Sequence, residues 1–184
     1  MRSSRWGARA ASLSAAVRPK AQMPAMDMTS AGWCQVAHVR GTEAEAVRLA
    51  LRWGADAEKA RRAAILHDCT KSLSVKEQLI LAEKWNIITD YGNEDLPALI
   101  HADTGAETAR REFRMPDAVV DAIRTHTVGG PGPLTAAQKI LYVADLCEET
   151  RDYPGVDKLR ALALTDLDRA FLAGLRQHCL AHTV

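Results

Sequence analysis

The sequence predicts an all-α protein. Ala and Leu dominate while aromatic residues make up only 5% of the 184 positions. Ala and Leu lose little freedom in a helix, whereas β-branched and aromatic residues favour pleated surfaces. Apolar residues recur at i, i+3, i+4 and i+7 in successive segments, the spacing of one helical face. No strand-like alternation and no internal repeat interrupts them.

Taken in order, the first helix carries Ala46, Val47, Ala50 and Leu51 and stops at Gly54. Asp56 is a suitable N-cap for the second, with Ala60, Ala63, Ala64 and His67 on one face. Ser74 caps a third, through Leu79 and Ala82, and residues 86–95 read as a loop. Pro97 fits a first helical position and opens a helix with Ala98, Ala102, Ala106, Ala109 and Phe113. Pro116 opens the next, with Val119, Ala122, Ile123 and His126. The Gly/Pro-rich run 128–133 is a sharp break. A helix with Ala137, Ile140, Leu141 and Ala144 follows, and after Pro154-Gly155 one last helix runs from Val156 toward the C-terminus.

This is one all-α domain, assigned to residues 29–184. Residues 1–28 read as an N-terminal extension, either a disordered tail or sequence upstream of a working start at Met23, Met26 or Met28. The first 26 residues hold Arg2, Arg5, Arg9, Arg18 and Lys20 and no acidic residue, a composition that also resembles a transit peptide. A net charge of +1 points to no nucleic-acid or membrane partner. Cys34, Cys69, Cys147 and Cys179 form no C-x-x-C pair, which fits free thiols in a reducing cytoplasm.

Certain polar residues interrupt the apolar stripes. His67, His126 and Asp145 fall in phase with buried positions, and His101 lies on the small-residue face of its helix. His38 is phased less clearly. Asp68 follows His67 at a helix end. A lone inward His is usually a hydrogen-bonded core residue, and an inward Asp is usually a cap or ion-pair partner. Several on separate helices are more economically explained by one divalent metal site, because imidazole and carboxylate suit such ions. Both readings remain open on spacing alone. His178 and His182, at i, i+4 near the C-terminus, read as a solvated tail.

The order His38, His67-Asp68, Asp145 resembles the H…HD…D signature of the HD-domain phosphohydrolases, and the surroundings narrow it. Residues 64–71 (Ala-Ile-Leu-His-Asp-Cys-Thr-Lys) look like the HD-x-x-K segment of the YqeK-type branch. Residues 99–106 resemble its L-x-H-x-x-x-G-A segment, and residues 122–129 its A-I-x-x-H-T-x-G segment. Residues 139–145, with Arg151 and 154–156, resemble K-I-x-Y-x-A-D…R-x-x-P-G-V.

The resemblance implies a single HD-domain helical bundle that cleaves diadenosine tetraphosphate at its centre into two ADP, through a metal-activated hydroxide. It implies two divalent transition-metal ions, iron first and manganese as another candidate. His38, His67 and Asp145 would hold one ion, and His101 and His126 the other. Asp68 would bridge them. Lys71 and Arg151 would face the polyphosphate, with Thr127 at the mouth of the site. A homodimer is a further expectation. The competing readings are another HD nucleotidase or phosphodiesterase, and a non-catalytic nucleotide-binding regulator.

Overall fold

A computed structural model describes residues 30–87 and 96–181. Among them are eight helices and no strand. They are α1 (Ser30–Trp53), α2 (Ala57–Leu66), α3 (Val75–Trp85), α4 (Leu96–Arg111), α5 (Asp117–Arg124), α6 (Ala136–Cys147), α7 (Val156–Thr165) and α8 (Leu167–Ala181). The all-α expectation is therefore met. The chain divides into a unit Met1–Trp33, of which only the helical residues from Ser30 onward are described, and a compact unit Cys34–Val184. The expected extension 1–28, most of the expected loop 86–95 and the His178/His182 side chains lie outside the described residues.

Local chemistry sets the helix boundaries. Gly54 ends α1 at φ +67°, a left-handed conformation costly for other residues. Asp56 caps α2 by accepting from the backbone N–H groups of Glu58 and Lys59. Ser74 with Glu77, and Thr135 with Gln138, form reciprocal capping boxes at the starts of α3 and α6. Pro116 occupies the N-cap position of α5.

The sequence reading of one last helix is incorrect. The chain opens at Asp166, which takes an extended conformation between α7 and α8. Its carboxylate accepts from the Arg169 N–H at 2.9 Å, so it caps α8. An Asp within a helical pattern had hidden a helix start.

Helix α6 is the centre of the bundle. Ile140, Leu141, Tyr142, Val143 and Ala144 are consecutive and all buried, so it is enclosed all round by its neighbours. It packs against α2, α5, α7 and α8, while α5 also packs on α2 and α4. Small residues on the facing sides, such as Ala63 and Ala64 of α2 and Ala106 and Ala109 of α4, keep the helices close. Trp53 ties α1 to α7 by donating from its indole to the Ala163 carbonyl at 2.9 Å.

Two phase assignments are corrected. The inward face of α1 is Thr42, Ala46, Leu49 and Ala50, whereas Leu51 is 70% exposed. On α3, Gln78, Ala82 and Trp85 are buried and Leu79 is not. Leu49→Ala should therefore cost about 2–5 kcal/mol, the usual range for emptying a buried leucine site. Leu51→Ala should stay within about 0.5 kcal/mol. Denaturant unfolding of the two variants checks the register of α1, and equal losses would refute it.

Candidate metal centre

Each group of the candidate centre arrives by a traceable route. His67 is the C-cap of α2, and its Nδ1–H donates back to the Ala64 carbonyl at 2.7 Å. Beyond it the chain winds tightly, with the amides of Cys69, Lys71 and Leu73 each bonding a carbonyl three residues back. That tight winding leaves the buried Asp68 carboxylate facing the bundle interior. His126 repeats the device one residue past the Thr125 cap of α5, its Nδ1–H donating to the Ile123 carbonyl at 2.6 Å. In both rings the backbone bond fixes the proton on Nδ1 and leaves the Nε2 lone pair free to bind a metal.

His101 lies on α4. The Thr70 hydroxyl donates to its carbonyl at 3.0 Å and meets Thr104 Oγ1 at 2.9 Å, locking α4 to the turn after α2. His38 enters from α1 and Asp145 from α6.

These six side chains converge. His38 Nε2 lies 3.3 Å from His67 Nε2 and 3.2 Å from Asp145 Oδ1. Asp68 Oδ2 lies 3.4 Å from His67 Nε2 and 3.8 Å from His38 Nε2. Asp68 Oδ1 faces the other pair, 3.4 Å from His101 Nε2 and 3.5 Å from His126 Nε2, which are 3.2 Å apart. Two groups have donor atoms mutually within 4.8 Å: His38, His67 and Asp145, and His67, Asp68 and His126. His67 takes part in both groups.

The donor set fits a divalent metal. Asp68 Oδ1 is buried and makes no hydrogen bond. The flanking imidazoles, at 3.4 and 3.5 Å, are too far for one, and His126 turns a lone pair toward it. A buried carboxylate oxygen facing a lone pair calls for a cation between them.

Charge accumulates accordingly. Burial alone would raise the Asp68 carboxyl, but the imidazoles of His101 and His67 hold it well below the usual range. Burial would likewise raise Asp145, yet His38, His67, His126 and Arg151 hold it down. Burial depresses His126 below its ordinary value. For His67 burial acts the same way but Asp68 and Asp145 outweigh it, so its pKa is raised. Burial and then the Asp68 charge push the Cys69 thiol up to about 12, and Cys69 belongs to neither donor group.

Two cations lie at the rim. Lys71 Nζ contacts Asp68 Oδ2 at 2.8 Å. Arg151 grips Asp145 twice, Nη2 to Oδ1 at 2.6 Å and Nε to the carbonyl at 2.8 Å. Thr127 is joined to the cluster through the chain from His126, and its hydroxyl oxygen is buried without a hydrogen-bond partner. An opening of about 290 Å³ lined by Gln35, His38, Asp68, Lys71 and Ser72 gives access. A larger one, about 440 Å³, lies between residues 128–134 and α8, and none of the six groups lines it.

The sequence reading missed three supports. Glu148, fully buried, accepts from His38 Nδ1 at 3.1 Å. Arg160 donates to the carbonyls of Cys147, Glu148 and Arg151, fixing the turn after α6. Thr70 anchors α4 as described. Glu148 was discoverable, since it stands three residues after Asp145.

The HD-domain pattern matches residues 36–150 of the sequence. This chain belongs to the HD-domain family. Among its HD-domain relatives is a Bacillus subtilis protein named bis(5'-nucleosyl)-tetraphosphatase, symmetrical. It is 42% identical over 76% of this chain and 74% of its own length. A Halalkalibacterium halodurans protein of the same name is 39% identical over 75% of this chain and 73% of its own. A Clostridium acetobutylicum crystal structure, described as a "predicted HD superfamily hydrolase involved in NAD metabolism", superposes with a TM-score of 0.68. It is 34% identical and covers 74% of this chain and 72% of that one. HD-domain hydrolases use divalent metals, in keeping with the His/Asp cluster. No helix among the described residues is long and apolar enough to cross a membrane.

Acid sensitivity follows from the two depressed carboxyls. A folded-state pKa below the unfolded value gives stability that is present above about pH 4 and lost as pH falls further. The denaturation midpoint of metal-free protein should therefore fall on acidification from about pH 5 to pH 3, and Asp145→Asn should flatten that dependence. An unchanged slope would remove Asp145 from the coupled set.

Proposed function

We propose that this protein hydrolyses diadenosine tetraphosphate symmetrically into two ADP, at a centre of two divalent transition-metal ions, iron in the first instance. The observation that carries the reading is the placement of Asp68. One oxygen faces His38 and His67, with Asp145 next to them, and the other faces His101 and His126. That arrangement supports a single carboxylate serving two ions. The shared name of the Bacillus subtilis and Halalkalibacterium halodurans relatives supports the substrate.

His38, His67 and Asp145 would hold one ion, His101 and His126 the other, and Asp68 both. Such ions act as Lewis acids on phosphoryl oxygens and supply a hydroxide nucleophile near neutral pH. Lys71, half-exposed at the rim, offers a point charge to a phosphate beside the cleaved bridge. Arg151 offers a planar fork suited to phosphate oxygens while steadying Asp145. Thr127, next to His126 in the chain, would sit at the mouth of the site. The leaving ADP departs as a weakly basic phosphate anion, so the chemistry demands no strong general acid. We place the working domain at residues 29–184 with 1–28 as an extension, and assign a cytoplasmic, homodimeric protein.

Product analysis tests the substrate. Diadenosine tetraphosphate should yield ADP only, and reaction in heavy-oxygen water should label its terminal phosphate. Equal early yields of ATP and AMP would refute the symmetric assignment. Release of phosphate or nucleoside from mononucleotides, with the dinucleotide untouched, would favour another HD nucleotidase. Binding of the dinucleotide without turnover would favour a regulator.

Two substitutions test the residue roles. His126→Ala should lower metal content and remove most activity while the helical spectrum persists. Lys71→Ala should slow turnover at least tenfold but keep its metal, a loss of about 1.4 kcal/mol or more in transition-state stabilisation. Full activity in His126→Ala would show that the histidine is only a core residue.

A further inference from the structure

One buried carboxylate has no part in the proposed donor set. Glu148, the C-cap of α6, has a side chain with no solvent exposure. Its oxygens accept hydrogen bonds at three points, and Arg151 Nε stands 3.7 Å from Oε1 as an ion-pair partner. The Thr150 hydroxyl donates to Oε1 at 2.6 Å, and the Thr150 amide donates to Oε2 at 2.7 Å. The third contact is not local: His38 Nδ1, 110 positions away in the chain, meets Oε1 at 3.1 Å.

The opposite helix is shaped around the same group. Gly41 lies three residues after His38, on the same side of α1. A Cβ built on Gly41 would overlap Glu148 Oε2 and press on its carboxyl carbon and Cβ. The missing side chain at Gly41 is therefore the space that Glu148 fills. A carboxylate kept only to cap α6 would need Thr150 but neither His38 nor this gap.

We propose that Glu148 is a positioning residue for the metal centre, holding His38 in the tautomer and orientation in which Nε2 binds the ion, with Gly41 as its cradle. The inference rests on the metal-centre reading above. The backbone carbonyls of Ala64 and Ile123 orient His67 and His126 in the same way. His38 instead sits mid-helix, where its own backbone is committed to the helix, so a carboxylate from α6 does that work. A negative charge on Nδ1–H also makes Nε2 a stronger donor than a neutral carbonyl would.

The test measures manganese affinity by calorimetry on the full-length protein and Glu148→Gln, Glu148→Ala and Gly41→Ala variants. The His38 tautomer is read in parallel by nitrogen NMR of the metal-free forms. Glu148→Ala and Gly41→Ala should weaken the site that contains His38 by about 10–100-fold, the usual effect of removing such a support. Glu148→Gln keeps an acceptor and the volume, so it should fold normally, lose less affinity and retain the Nδ1–H tautomer. It guards against misfolding in the other two. Wild-type affinity in folded Glu148→Ala or Gly41→Ala, or an unchanged tautomer in Glu148→Ala, would overturn the positioning role while leaving the metal centre intact. Failure of the unmodified protein to bind manganese at all would instead overturn the metal-centre reading, and this inference with it.

Discussion

Everything in this fold answers to one costly arrangement, a carboxylate buried among four imidazoles. Removing an ionised Asp from water costs several kcal/mol unless charge or metal compensates. The burial of Asp68 is offset by the Lys71 ammonium at 2.8 Å and by His67, His101 and His126, held at 3.4 to 3.5 Å from it. The His67 and His126 rings are pinned by backbone carbonyls at helix ends, and His101 by the threonine network behind α4. The helix ends, the tight turn after α2 and the alanine-lined contacts serve that convergence.

The second carboxylate is treated differently. Asp145 lies on the most enclosed helix of the bundle, but its oxygen is shared between His38 and Arg151. Arg160 stitches the same turn through three carbonyls, so Asp145, Glu148 and Arg151 form one rigid block. The Lys71–Asp68 pair joins a half-exposed ammonium to a buried carboxylate, so solvent screens only one of its partners.

Much of this was legible in the sequence because helical phase carries burial. Four of the six converging groups, His67, His101, His126 and Asp145, stood on inward faces by spacing alone, and the helix caps at Asp56, Ser74 and Pro116 were readable from residue type. What escaped reading depended on three-dimensional neighbours. Leu51 and Leu49 are equally apolar, and only the crossing of α1 over its neighbours decides which is buried. Asp166 resembles any surface Asp until the extended backbone shows it to be a cap. Arg160 and Thr70 act through carbonyls of distant segments, which no spacing within one helix reveals.

The long reach between His38 and Glu148 also orders events in time. A chain emerging from the ribosome exposes His38, His67, Asp68, His101 and His126 before the residues that complete their surroundings have been made. N-terminal parts of a protein ordinarily fold first as they emerge. Here the last donor and its bracing turn arrive more than a hundred residues after the first, so this pocket cannot be finished until synthesis has passed Arg160. Products stalled between His126 and Asp145 would carry the four histidines and Asp68 without the carboxylate and bracing turn that complete their surroundings, open to whatever ion they meet.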